Sequence, residues 1–198
     1  MKPVFILAIM ILTAVAFSDT VNLFPTEDTY VWQANPGYNY GCWEDMTVGY
    51  IGGWSNVLIK YDLASLTGAT INSAIMIIYV WELYGTVPTD EIYVGRNTTF
   101  WEEDIVTWNS RPLFSGISLI PAPSQVGYWE VDVTYLVQEF VSGIHPNYGF
   151  QIFKNDSDSD SFHMNSRESP SHCPYMYVDY DPMYLEAATF GSIKAMFR

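Results

Sequence analysis

Residues 71–84 read INSAIMIIYVWELY. Alternate positions separate into Ala74, Met76, Ile78 and Val80 on one side and Ile75, Ile77, Tyr79 and Trp81 on the other, the period of an extended strand. Both faces are apolar. Such a strand either lies beneath another layer or presents an aromatic surface to a ligand. In the second case Trp81 is a candidate ligand contact.

Working outward, similar short runs of β-branched and aromatic residues recur: DTYVWQA, MTVGYI, NVLIKYDL, EIYVGR, GYWEVDV, YGFQIFK and PYMYVDY, separated by Gly, Pro, Asn and Asp. This punctuation predicts an all-β antiparallel sandwich. One exception is VTYLVQEFVSG, where Leu136, Val137, Phe140 and Val141 fall at helical spacing before Gly143 and predict a short helix. A second is TTFWEEDIVTWNSRP, residues 98–112. Thr99 stands three positions before Glu102, the spacing of a capping box, which predicts a helical turn with Glu102 as the structural acid.

The chain has 198 residues, enough for one domain with a proper core. With 49% hydrophobic and 15% charged residues it is no disordered chain. Its formal charge of -14 would repel nucleic acid phosphates, so nucleic acid is not an expected partner. The opening MKPVFILAIMILTAVAFS predicts a signal peptide over residues 1–18, with Lys2 before an apolar run and small residues at the cleavage point. The alternative is a membrane anchor, but the run is shorter than the roughly 20 residues of a spanning helix. No later segment is long and apolar enough to span. Residues 19–181 then form the sandwich and residues 182–198 a tail. The ending Gly-x-Ile-Lys-Ala-x-Phe-Arg is similar to the tails of some secreted bacterial proteins, which implies envelope attachment. For an exported protein, Cys42 and Cys173 predict a disulfide tying the start of the sandwich to its end; two free thiols are the alternative.

Catalytic motifs are missing: there is no G-x-S-x-G elbow, no H-E-x-x-H and no phosphate-binding glycine loop. Glu102, Glu103 and Asp104 are adjacent in sequence and make a poor facing pair for glycoside cleavage. His145, His163 and His172 lack ligand spacing and are expected on the solvated surface. No cofactor is predicted. A structural calcium ion is considered only at Asp156, Asp158 and Asp160, whose turn lacks the glycine and closing glutamate of a hand-type loop; a solvated acidic turn is the other reading. Asn97-Thr98-Thr99 and Asn155-Asp156-Ser157 fit the glycosylation pattern. Trp43 and Trp54 lie in NYGCWED and IGGWSN, where a large ring has little core to enter. With Tyr40, Tyr50 and Trp81 they form the candidate ligand-binding set, since exposed rings stack on the apolar faces of sugars.

The order of DTYVWQANPGYNYG, LIKYDLASL, INSAIMIIYV, FWEEDIVTWNSRP, WEVDVTYLVQEFVSG, FHMNSRES and PYMYVDY resembles the DNRLRE, or disaggregatase-related, domain family, which includes carbohydrate-binding module family 96. Its most specific parts are Val106-Thr107-Trp108-Asn109 with Pro112, Asp132-Val133-Thr134, and Ser166-Arg167-Glu168. The resemblance implies a jelly-roll-like sandwich, secreted or displayed at the cell surface, that binds polysaccharide or glycoconjugate without catalysis. It also implies that Trp108, in a fold signature, is buried with its indole N–H paired, and that Trp101 packs beneath the short helical turn. Trp43 and Trp54 stand where the family has small polar residues. The runner-up function is a structural or adhesive envelope protein that uses the sandwich as a spacer.

Overall fold

A computed structural model describes residues 18–85, 92–155 and 158–183. The predicted signal segment up to residue 17, the tail from residue 184, and Asp156 with Ser157 lie outside the described residues. The strands are β1 Asp19–Leu23, β2 Pro25–Trp32, β3 Asp45–Tyr50, β4 Trp54–Tyr61, β5 Thr70–Tyr84, β6 Ile92–Asn97, β7 Phe114–Ile120, β8 Gly127–Asp132, β9 Phe150–Lys154, β10 Ser161–Asn165 and β11 Tyr175–Asp181. One helix, α1 Thr134–Val141, and two single 3-10 turns, Ala64–Leu66 and Trp108–Ser110, accompany them.

All pairings are antiparallel, in the order β1-β11-β5-β10-β3-β4-β9-β6-β7, with β2 added on β4 and β8 on β5. The join between β3 and β4 is narrow: only Gly49 with Ser55 and Tyr50 with Trp54 face each other. Beyond it β3 continues with β10, and β4 with β2 and β9. The sheet curls there and closes over its own core, which is the predicted all-β sandwich. The core side carries Met46, Val48, Val57, Ile59, Val94, Ile152, Phe162, Met164, Met176 and Val178, all fully buried.

Strand β5 shows what its doubly apolar pattern is for. Ala74, Met76, Ile78 and Val80 are fully buried in the core, whereas Ile75, Ile77 and Tyr79 are half-buried and Trp81 is 41% exposed. The outer face is therefore covered in part. His172 stacks on Tyr79 at 4.4 Å and Tyr128 stands edge-on to it at 5.3 Å. Next to Trp81 the register slips, because His163 faces Glu82 while Met164 faces Val80. Trp81 is the extra residue of a β-bulge, a device that re-aims side chains. Past it the phase changes, and Leu83 packs against the core.

Helix α1 forms as its spacing predicts, with Leu136, Val137, Phe140 and Val141 buried. Gly143, at φ 71°, takes the left-handed position that ends it. Arg96 of β6 pairs with Glu139 of the helix, which also accepts the Tyr135 hydroxyl at 2.8 Å.

Three expectations are corrected. In residues 98–112 it is Trp101 that is buried, 4% exposed, with its indole N–H donated to the Tyr148 carbonyl at 2.7 Å. Trp108 is half-buried and opens a 3-10 turn, with the Arg111 guanidinium over its ring at 3.8 Å. The capping box belongs to that turn, between Thr107 and Ser110, so Glu102 is left exposed and caps nothing. The structural acid is Glu103, which accepts the backbone N–H of Asp28 at 2.8 Å and the guanidinium of Arg167. Finally, Cys42 and Cys173 are free thiols. Cys42 is exposed, and the Cys173 thiol turns to the Ser169 carbonyl of its own turn at 3.2 Å. The two ends of the sandwich are tied instead by the ladder of β1 on β11, from Asp19 opposite Tyr180 to Leu23 opposite Met176.

Candidate functional site

Tyr30 and Trp32 alternate along β2 and so share a face. With Thr47 of β3, Ile51 and Ser55 of the β3–β4 hairpin, and His163 of β10 they line a cleft of about 140 Å³. His163 Nδ1 lies 3.0 Å from the Thr47 hydroxyl and 3.7 Å from the Asp45 carboxylate. Ser55 donates its hydroxyl to the Thr47 carbonyl at 2.8 Å. Burial pushes the Tyr30 hydroxyl up, helped by Tyr40 and Asp45, so it stays a neutral hydroxyl. The buried indole N–H of Trp32 has no acceptor among the described residues.

Further aromatic rings lie around this cleft. On the Tyr30 side, Tyr40 stacks on Tyr30 at 4.2 Å, Trp43 stands edge-on to Tyr40 at 5.3 Å, and Tyr38 leans on Tyr40 at 4.7 Å. On the His163 side, Trp81 lies 5.2 Å and Tyr84 6.3 Å from the imidazole. At the hairpin, Tyr50 and Trp54 meet edge-on at 5.4 Å beside Ile51. Trp43 and Trp81 are each 41% exposed. Tyr40 and Trp43 reach the cleft through Tyr30, and Trp81 through His163, whereas Tyr50 and Trp54 alternate with the cleft residues Ile51 and Ser55 and turn to the other side of the hairpin.

Their individual settings differ from those expected. Trp54 is the first residue of β4 and half-buried, not a free loop ring. Tyr40 is buried and supports its neighbours. His163, expected in solvent, is half-buried in the cleft. Sequence reasoning missed Tyr30, Trp32, Tyr38 and Thr47 as well; the alternation within DTYVWQA was the available signal for the first two.

The arrangement can stack on a sugar and bind its hydroxyls. Rings supply flat apolar faces, and the indole, imidazole and hydroxyls supply donors and acceptors. Cleavage of a glycoside needs two carboxyl groups across the bond, and none of the six residues lining the cleft carries one. Its volume is small beside enclosing ligand sites of about 300–1,000 Å³. It is a dip beneath open rings, suited to a chain lying across it. A larger hollow, about 770 Å³, lies between β7, β8 and α1. Tyr135 is the one ring among its lining residues, and Asp132 there accepts the Thr134 N–H at 2.9 Å.

A second polar constellation joins Asp28, Glu103, Arg167 and Glu168. Arg167 Nε reaches Glu103 Oε1 at 3.1 Å and Glu168 Oε1 at 2.8 Å, and its Nη2 reaches Glu103 Oε2 at 2.7 Å. Its backbone N–H is donated to Asp28 Oδ2 at 2.9 Å. Burial pushes the Asp28 carboxyl well above the usual carboxylate range, and the Glu168 charge adds to this. Burial also raises Glu103, against the Asp28 N–H and the Arg167 guanidinium. Arg167 and Glu168 belong to the Ser-Arg-Glu signature quoted above, whose role the sequence left unassigned. Among the described residues no helix is long and apolar enough to cross a membrane.

Comparison with known proteins identifies the module. The chain is 24% identical over 182 residues to the tRNA nuclease WapA of Bacillus subtilis strain 168, covering 84% of this chain and 8% of that protein. It is 25% identical over 173 residues to a gellan lyase of a Bacillus species, covering 83% of this chain and 7% of the lyase. The chain therefore spans less than a tenth of these relatives' length. The profile of carbohydrate-binding module family 96 matches residues 19–180, from the first residue of β1 nearly to the end of β11. A curled β-sandwich matched by that profile over residues 19–180 places this chain in carbohydrate-binding module family 96.

Proposed function

We propose that this protein is a secreted, non-catalytic polysaccharide binder whose chain-binding surface is the aromatic face around the Tyr30–Trp32–His163 cleft. The observation that carries this is the pair of exposed rings, Trp43 and Trp81, on the two sides of a cleft lined by Tyr30, Trp32 and His163. Such rings stack on pyranose faces while hydroxyls and the imidazole in the cleft bind the sugar hydroxyls. Secretion is supported by the opening apolar segment with its small-residue end. The lyase and nuclease relatives match over so small a share of their length that the module, not their activity, is what this chain shares with them.

Calorimetric titration against a panel of neutral and acidic polysaccharides tests the reading. Trp43→Ala and Trp81→Ala should each weaken binding by about 1–2 kcal/mol, as loss of a stacking contact does, with the melting temperature nearly unchanged. Wild-type affinity in both variants, or release of reducing ends from a bound polysaccharide, would refute the proposal.

A further inference from the structure

We infer that Asp28, Glu103 and Glu168 form a binding site for a divalent cation, with calcium the ion their chemistry fits. One carboxylate oxygen from each lies within 4.8 Å of the others. Calcium holds oxygen ligands at about 2.3–2.6 Å, so oxygens around one ion stand up to about 5 Å apart. The donor set is all oxygen, which suits calcium or magnesium rather than zinc or copper. Magnesium prefers to keep several waters in a strict octahedron, and a cage of largely buried carboxylates favours calcium.

Charge and hydrogen bonding point the same way. Asp28 is fully buried, Glu103 is 7% exposed, and Arg167 is the one cation bonded to the three acids among the described residues. With all three acids ionised, one guanidinium would leave two negative charges in a site with little water. Buried charge on that scale is costly unless paired, and a divalent ion cancels it. The donors present reach Asp28 Oδ2, both oxygens of Glu103 and Glu168 Oε1. Asp28 Oδ1 and Glu168 Oε2 are buried with no hydrogen-bond partner. The fully buried Tyr61 hydroxyl, which feels the Asp28 charge, is also without one. Entry from solvent is open, since the Glu168 side chain is 24% and that of Arg167 37% exposed.

The site differs from the acidic turn singled out in the sequence, where Asp160 pairs with Lys154. It also reaches the aromatic face. Ser166 donates its hydroxyl to the Trp43 carbonyl at 2.6 Å and its N–H to the Glu44 carbonyl at 3.0 Å, so an ion holding Glu168 would stiffen the support of Trp43.

The test uses the full chain, stripped with EDTA and then titrated with calcium chloride. At calcium about 100-fold above its dissociation constant, the melting temperature should rise by roughly 5–10 °C. Terbium should show tryptophan-sensitised emission that calcium displaces. Asp28→Asn should lose the calcium shift yet melt in EDTA no lower than wild type, because the amide oxygen still accepts the Arg167 N–H and no charge need be buried. Glu168→Gln should weaken calcium at least tenfold, and it decides the matter if Asp28→Asn does not fold. The proposal is overturned if millimolar calcium moves neither melt nor emission, the result expected of a neutral, protonated Asp28 with no ion. Wild-type calcium affinity in the Asp28 or Glu168 variant, which would place an ion elsewhere, also overturns it.

Discussion

Trp101 and Trp108 occupy one loop and do different work. Trp101 packs with Val31, Leu58 and Val106 in a small core of its own, and its N–H is satisfied by Tyr148. Trp108 borders that cluster with one face and carries Arg111 on its ring. Trp101→Ala should therefore cost about 3–5 kcal/mol, as large aromatic truncations in cores do. Trp108→Ala should cost about 1–2 kcal/mol, from partial burial and an exposed cation–π contact. Urea unfolding of the two variants measures both, and a larger loss at Trp108 would show the assignment reversed. Nothing in the local sequence separates these residues, since each has an apolar residue close by and polar residues beyond it. What separates them is the distant carbonyl of Tyr148.

At the scale of elements, the bulge in β5 makes an unusual prediction. Deleting one residue from a paired strand normally turns every later side chain to the wrong face. Trp81, however, is the residue that β10 does not pair, and without it Glu82 and Val80 would face His163 and Met164 in regular order. Deletion of Trp81 should leave a folded protein that melts close to wild type but binds polysaccharide weakly. Loss of cooperative melting would show that the bulge is required for the sheet. Besides its buried apolar face, α1 is held by the pair of Arg96 and Glu139, whose side chains are 12% and 10% exposed. Glu139→Ala strands a buried guanidinium and should cost about 3–5 kcal/mol in chemical unfolding. The helix was legible from its period and its closing glycine. This ion pair was not, because nothing near Glu139 in sequence points to Arg96.

For the whole molecule, 22 acids against 8 bases give a formal charge of -14, and like charges at that density oppose the compact state. Raising sodium chloride from about 10 to about 300 mM shortens the screening length several-fold and should raise the melting temperature. A fall would mean that the named ion pairs outweigh the net repulsion. The sequence alone determined the all-β class, the helix of residues 134–141 and the loop position of Trp43. Those follow from periods of two and 3.6 residues and from glycine and polar punctuation, all set by neighbours in the chain. Only the tertiary structure decided which tryptophan is core, that His163 meets Trp81, that both thiols stay free, and that Asp28, Glu103 and Glu168 share one site. Each of these depends on which strands lie side by side, and pairing between segments so far apart in the chain leaves no mark in local periodicity.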